Sequence, residues 1–228
     1  HEVHIAYQVK GNIAVSDHDA LKFLEVSKDM FKNDSKVTLS ELIKELQNNK
    51  PDKIDSQAVR DLKGFIRKRE AIAATRYIGI PDSNTHFMNL PFYDTGRIKK
   101  RPPTKKDVLI TNSLIKKIKP HQIFAAGDLE DPHGTHKVCL DIILDALDSL
   151  KDEKFIKDCW LWLYRGAWLD CDVHDIDMAV PMSPAQVLRK RKAIFFHQTQ
   201  KDGVMFQGQD LREFWVRAEE RNCETAEK

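Results

Sequence analysis

Two histidines three residues apart, His133 and His136, are the side chains in this sequence best suited to metal or polar-group chemistry. A neutral imidazole can ligate a divalent metal or hydrogen-bond to a carbonyl oxygen. Asp128, Glu130 and Asp131 make the approach to the pair acidic, as a metal site would want, although one of them can simply cap a helix. Before them, residues 123–126 form a short apolar run ended by Gly127, which reads as a buried strand. After them, Val138, Leu140, Ile142, Ile143, Leu144, Ala146, Leu147 and Leu150 recur at helical spacing. Asp131 suits an N-cap and Pro132 the first helical position, so this reading puts both histidines in the first turn on one face. The step from strand to helix N-terminus is where open α/β sheets hold ligands, and the helix dipole keeps imidazole neutral there. Taken alone, histidines at this spacing are a weak signal, with one capping and one packed as the plainer reading.

Other candidates are more dispersed. Arg67 and Glu70 lie three apart on a long predicted helix, where an exposed ion pair is the ordinary reading. His197 opens His197-Gln198-Thr199-Gln200, a polar turn that could line a pocket. His86, His121 and His174 are isolated and read as structural. Residues 94–106 carry Arg97, Lys99, Lys100, Arg101, Lys105 and Lys106 around two prolines. That run is ordinarily solvated loop, and contact with an anionic ligand is its functional alternative. The sequence holds no glycine-rich phosphate loop, no G-x-S-x-G and no Cys/His zinc finger.

The elements that must position these residues follow from periodicity. Strands are expected at residues 3–9, 85–90, 123–126, 158–163 and 173–178. Helices are expected at 18–31 behind Asp17, at 38–46 with a Thr38/Glu41 capping box, and from Asp55 or Ser56 to 78. Further helices are expected at 106–118, at 184–198 capped by Ser183, and at 209–221 after Gly208. Their alternation predicts an α/β domain with a mostly parallel sheet and helices on both faces, residues 1–9 and 121–126 being parallel strands of one sheet.

Composition limits the classes of function. A formal charge of +2 argues neither for nor against nucleic acid, no nucleic-acid partner is expected, and no apolar run is long enough to span a membrane. Cys139, Cys159, Cys171 and Cys223 have no C-x-x-C spacing, which suits reduced thiols and a cytoplasmic setting. The opening residues, HEVHIAYQV, read as a strand within a domain and not as a signal peptide.

Asp131-Pro132-His133-Gly134-Thr135-His136 and its apolar helix resemble the second motif of the LmbE-like / PIG-L family of zinc-dependent N-deacetylases. Arg67-Lys68-Arg69-Glu70-Ala71 with Tyr77-Ile78-Gly79-Ile80, Met88-Asn89-Leu90-Pro91-Phe92-Tyr93, and residues 192–200 ending in HQTQ extend the resemblance over nearly the whole chain. It is strongest to the deacetylase-like half of bacterial proteins named glucosamine-6-phosphate deaminase/isomerase. The resemblance implies a single Rossmann-like domain over residues 1–228, in which His136 ligates zinc, His133 stabilises an oxyanion and Arg67 contacts substrate. The implied reaction is removal of the N-acetyl group of an amino sugar. A fused sugar-phosphate deaminase domain and an oligomer are compatible partners. The family's Pro-Asp between the histidines is replaced by Gly134-Thr135, and its first motif, Pro-His-Pro-Asp-Asp, is absent. Since that motif brings the remaining ligands and the base, the chain by itself is expected to bind zinc weakly. Binding or deamination of an amino-sugar phosphate, and a non-catalytic accessory module, are the alternatives.

Overall fold

A computed structural model describes residues 1–30, 36–50, 53–97, 99–127, 134–165, 172–201 and 212–227, the side chains of 36–38 excepted. It divides into two compact units. The first comprises His1–Ile5, Lys10–His86 and Leu188–Trp215; the second comprises Ala6–Val9, Phe87–Val187 and Val216–Lys228.

The first unit is built on three helices, α1 (Asp17–Met30), α2 (Lys36–Gln47) and α3 (Gln57–Tyr77). Their apolar faces bury Val15, Ala20, Leu24, Ile43, Leu46, Val59 and Ile66 as one core. The cap of α1 is Ser16, one residue before the expected Asp17: its hydroxyl accepts from Asp19 N–H at 3.0 Å and donates to the Asp19 carboxylate at 2.8 Å. Asp17 is used otherwise. Its carboxylate and that of Asp55 take the ammonium of Lys63 at 2.6 and 2.7 Å, and Asn49 bridges the same two carboxylates. Lys63 is only 5% exposed, so both partners are needed to offset its desolvation. The described helix α2 begins at Lys36, two residues before the expected start at Thr38. Ser56 caps α3, accepting from Val59 N–H at 3.3 Å, and Gly79 at φ 89° ends it. The helix α7 (Pro184–Phe195) starts as expected at Ser183, whose hydroxyl and N–H exchange hydrogen bonds with Gln186.

In the second unit, α4 (Lys105–Ile118) and α5 (Thr135–Ser149) pack over a short sheet, burying Ile115, Ala146 and Leu150 against Val108, Ile123 and Leu147. The start of α4 carries a capping box. The Asp107 carboxylate, fully buried, accepts from Thr104 N–H and hydroxyl at 2.8 and 2.7 Å and from Phe92 N–H at 3.0 Å. The short helix α6 (Lys154–Lys157) follows α5, and α8 (Phe214–Glu227) closes the chain, five residues later than the expected start at 209.

The structure is α/β, with strands shorter and less connected than expected. Four strands are described, β1 (Ile5–Tyr7), β2 (Thr85–Phe87), β3 (Gln122–Ala126) and β4 (Trp160–Tyr164). β1 pairs with β2 and β3 with β4, in separate two-stranded sheets. The expectation that residues 1–9 and 121–126 share a sheet is therefore corrected among the described residues. β3 and β4 are parallel, with Gln122 opposite Trp160 and Ala126 opposite Tyr164. Residues 173–178, expected as a strand, instead form a 3-10 turn at Val173–Asp175: alternation there marks an exposed segment with no partner strand to fix it.

Gly127 ends β3 where two backbones crowd. Its N–H bonds to Tyr164 carbonyl at 2.9 Å, and a Cβ placed on it would lie 2.9 Å from Leu163 Cβ. Gly127→Ala should cost about 1–3 kcal/mol by overpacking. A thermal melt unchanged by the substitution would contradict this close approach.

Candidate functional site

Of the three residues expected to form a site, Arg67 has the most developed surroundings. It lies midway along α3, and its Nη1 donates to the Glu70 carboxylate at 2.8 Å one turn on. The expected exposed ion pair is not what is found: the Glu70 side chain is 7% and the Arg67 side chain 23% exposed. Glu70 takes two further hydrogen bonds, from Thr199 N–H at 2.7 Å and Thr199 hydroxyl at 2.9 Å. Gln200 anchors the same turn by donating to Ala14 carbonyl at 2.6 Å. The polar HQTQ turn after α7 thus clamps the R-x-x-E face of α3. Spacing alone could not show this, because 129 residues separate Glu70 from Thr199.

Two buried nitrogens in this cluster lack a described partner, Arg67 Nε and His197 Nδ1. Gly11, at φ 66°, brings its backbone close to the guanidinium; a Cβ on it would sit 3.4 Å from Arg67 Nε. A side chain there would be both strained and crowded. Burial, with the nearby Arg67 charge, lowers the His197 pKa from 6.5 to about 4. His197 is thus neutral at ordinary pH, and Arg67 is the cation the cluster presents. The unfolded chain takes up this proton first as pH falls. The resulting stability is full above pH 6.5, falls between 6.5 and about 4, and is flat below. It amounts to roughly 3 kcal/mol. His197→Asn should flatten stability against pH in that window; an unaltered slope in denaturant titrations would count against it.

His136 belongs to the second unit. It is the second residue of α5, half-buried, at the helix end that follows β3. The described helix begins after Gly134 at φ 65°, its N-cap, and the expected Asp131 cap with Pro132 in the first helical position lies outside the described residues. His133, Asp128, Glu130 and Asp131 lie outside the described residues. From the end of β1, Gln8 reaches α5 one turn beyond His136, donating to Cys139 carbonyl at 3.0 Å.

The other histidines and the basic loop behave mainly as structure. His4 Nδ1 and His86 Nε2 lie 3.0 Å apart with their rings stacked. In the loop, Lys100 lies over the Tyr93 ring at 3.9 Å and donates to Arg97 carbonyl at 2.7 Å. Burial draws the Lys100 pKa down to about 8. Cys139, Cys159 and Cys223 form no disulfide among the described residues, and Cys171 lies outside them. No described helix is long and apolar enough to cross a membrane.

A zinc ion, implied by the resemblance, was tested against the donors present. Among the described residues, the one group of His, Cys, Asp and Glu side chains close enough to share a metal is Asp172, His174 and Asp175. All three are exposed, and the group does not include His136. The described residues around His136 therefore do not make up a zinc site.

No family model and no solved structure matches this chain. A curated Bacteroides thetaiotaomicron protein, named glucosamine-6-phosphate deaminase-like, is 45% identical to it over 235 residues. The alignment takes in 99% of this chain and 35% of the relative, so the chain spans about a third of that protein's length.

Proposed function

We propose that this chain is an amino-sugar N-deacylase module of the LmbE-like / PIG-L kind, acting within a larger glucosamine-6-phosphate deaminase-like protein. The observation that carries this reading is the clamped Arg67: a half-buried guanidinium held by Glu70, which Thr199 holds in turn. Such a group can direct paired N–H donors at the oxygens of a sugar. The relative's name supplies the substrate class, an amino sugar.

Within this reading Arg67 binds and orients the sugar, and Glu70 and Thr199 keep the guanidinium from swinging away. The resemblance nominates His133 to stabilise the oxyanion of the acyl group, a role worth about 3 kcal/mol. His136 is the zinc ligand that the resemblance nominates. No step is assigned to a metal, because the described donors do not complete a site.

The test is the full-length protein incubated with N-acetylglucosamine, with the free amine followed over time. Amine formed in proportion to enzyme is expected, and none formed across metal-supplemented buffers would overturn the reading. A second reading, deamination or binding of an amino-sugar phosphate, is favoured by the relative's name and by the basic loop of residues 97–106.

A further inference from the structure

The residues that hold Arg67 also set the charge of the cluster. The buried Glu70 carboxylate shares Oε2 between Arg67 Nη1 at 2.8 Å and the Thr199 hydroxyl at 2.9 Å, while Oε1 takes Thr199 N–H at 2.7 Å. Every hydrogen bond described at this carboxylate is received, as suits an anion. His197 adds no charge above about pH 5, since burial beside Arg67 keeps it neutral. Earlier on α3, Asp61 is likewise balanced by Lys10 at 3.0 Å. Among the described residues the cluster thus holds one cation and one anion, both largely shielded from water.

This balance discriminates between ligands. A phosphate drawn to the guanidinium would bring its negative charge close to Glu70, in surroundings where water screens poorly. A pair of sugar hydroxyls meets no such repulsion, and hydroxyls can both accept from the guanidinium and donate to a carboxylate. Specificity of this kind comes as much from the penalty on the wrong ligand as from contacts with the right one.

We infer that Glu70 is a specificity-determining residue that neutralises Arg67, so that the site takes the hydroxyls of an uncharged amino sugar in preference to a sugar phosphate. The inference rests on the amino-sugar reading above and names its substrate class. Thr199 is a positioning residue for Glu70.

The test compares kcat/KM of the full-length protein on N-acetylglucosamine and on N-acetylglucosamine 6-phosphate. The wild type should favour the uncharged sugar by about tenfold or more, equivalent to ~1.4 kcal/mol. Glu70→Gln keeps the shape and removes the charge, and should move the ratio towards the phosphate by a similar factor. Thr199→Val should raise KM for both sugars without changing their ratio, and Thr199→Ser should restore it; thermal melts of each variant confirm folding. A wild type that prefers the phosphate, or a ratio unmoved by Glu70→Gln, overturns the inference while leaving the deacylase reading intact. If neither sugar is hydrolysed, the deacylase reading fails, and the ratio is read instead from equilibrium binding of glucosamine and glucosamine 6-phosphate. The same preference and the same Glu70→Gln shift are then expected, and their absence overturns the inference.

Discussion

Asp107→Ala should lower stability by about 2–4 kcal/mol, the largest loss expected from a single surface-neutral truncation in the second unit. Three donors lose their acceptor at once: Phe92 N–H, Thr104 N–H and the Thr104 hydroxyl. Because Asp107 is fully buried, water cannot replace it without opening the start of α4. The residue also ties the Leu90-Pro91-Phe92-Tyr93 turn to that helix, and Leu90 and Phe92 are each 1% exposed. Melting should fall by roughly 5–15 °C. Burial alone would raise the Asp107 pKa, but the hydrogen bonds from Phe92 and Thr104 outweigh it and hold it below its usual value. Its contribution is therefore complete above about pH 4 and is lost as pH falls through the lowered value. Asp107→Ala should accordingly show a shallower acid limb than the wild type. A melt within a degree of wild type would remove Asp107 from this role.

Arg67→Met should reduce kcat/KM for an N-acetylated amino sugar by about 10–100-fold, the range for losing charge-assisted hydrogen bonds to a bound substrate. The loss should fall mainly on KM, since the guanidinium binds and orients rather than reacts. Arg67→Lys should recover little, because an ammonium cannot span Glu70 and two sugar oxygens in one plane. The substitution also leaves the Glu70 carboxylate buried without its cation, so a drop in melting temperature accompanies it. Unchanged KM in a folded Arg67→Met protein would move substrate binding away from this cluster.

The helices were largely legible in the sequence because each is set by local signals. Ser56 caps α3, Ser183 caps α7, and the apolar faces of α1 and α3 have helical spacing that the core uses as expected. Sheet order was not legible, because pairing of three-residue strands such as β1 and β2 depends on distant backbone, not on their own side chains. The part played by Gly134 at the start of α5 was not legible, because it acts through a positive φ that composition does not reveal. The Arg67 cluster was half legible. R-x-x-E and HQTQ were both visible, but their union needs Glu70 and Thr199 to meet across 129 residues of chain. The burial that turns an ordinary i, i+3 pair into a shielded cluster belongs to the fold alone.

The central claim is that an amino sugar binds at the Arg67 cluster of the first unit. Residue-resolved amide and Arg Nε chemical-shift mapping, during titration of the isotopically labelled protein with glucosamine, tests it most directly. The account predicts saturable shifts at Arg67 Nε–H, at Thr199 and Gln200, and at Gly11, all lost in Arg67→Met. Saturable shifts confined to the basic loop of residues 97–106, with the Arg67 and Thr199 signals unmoved, would contradict it.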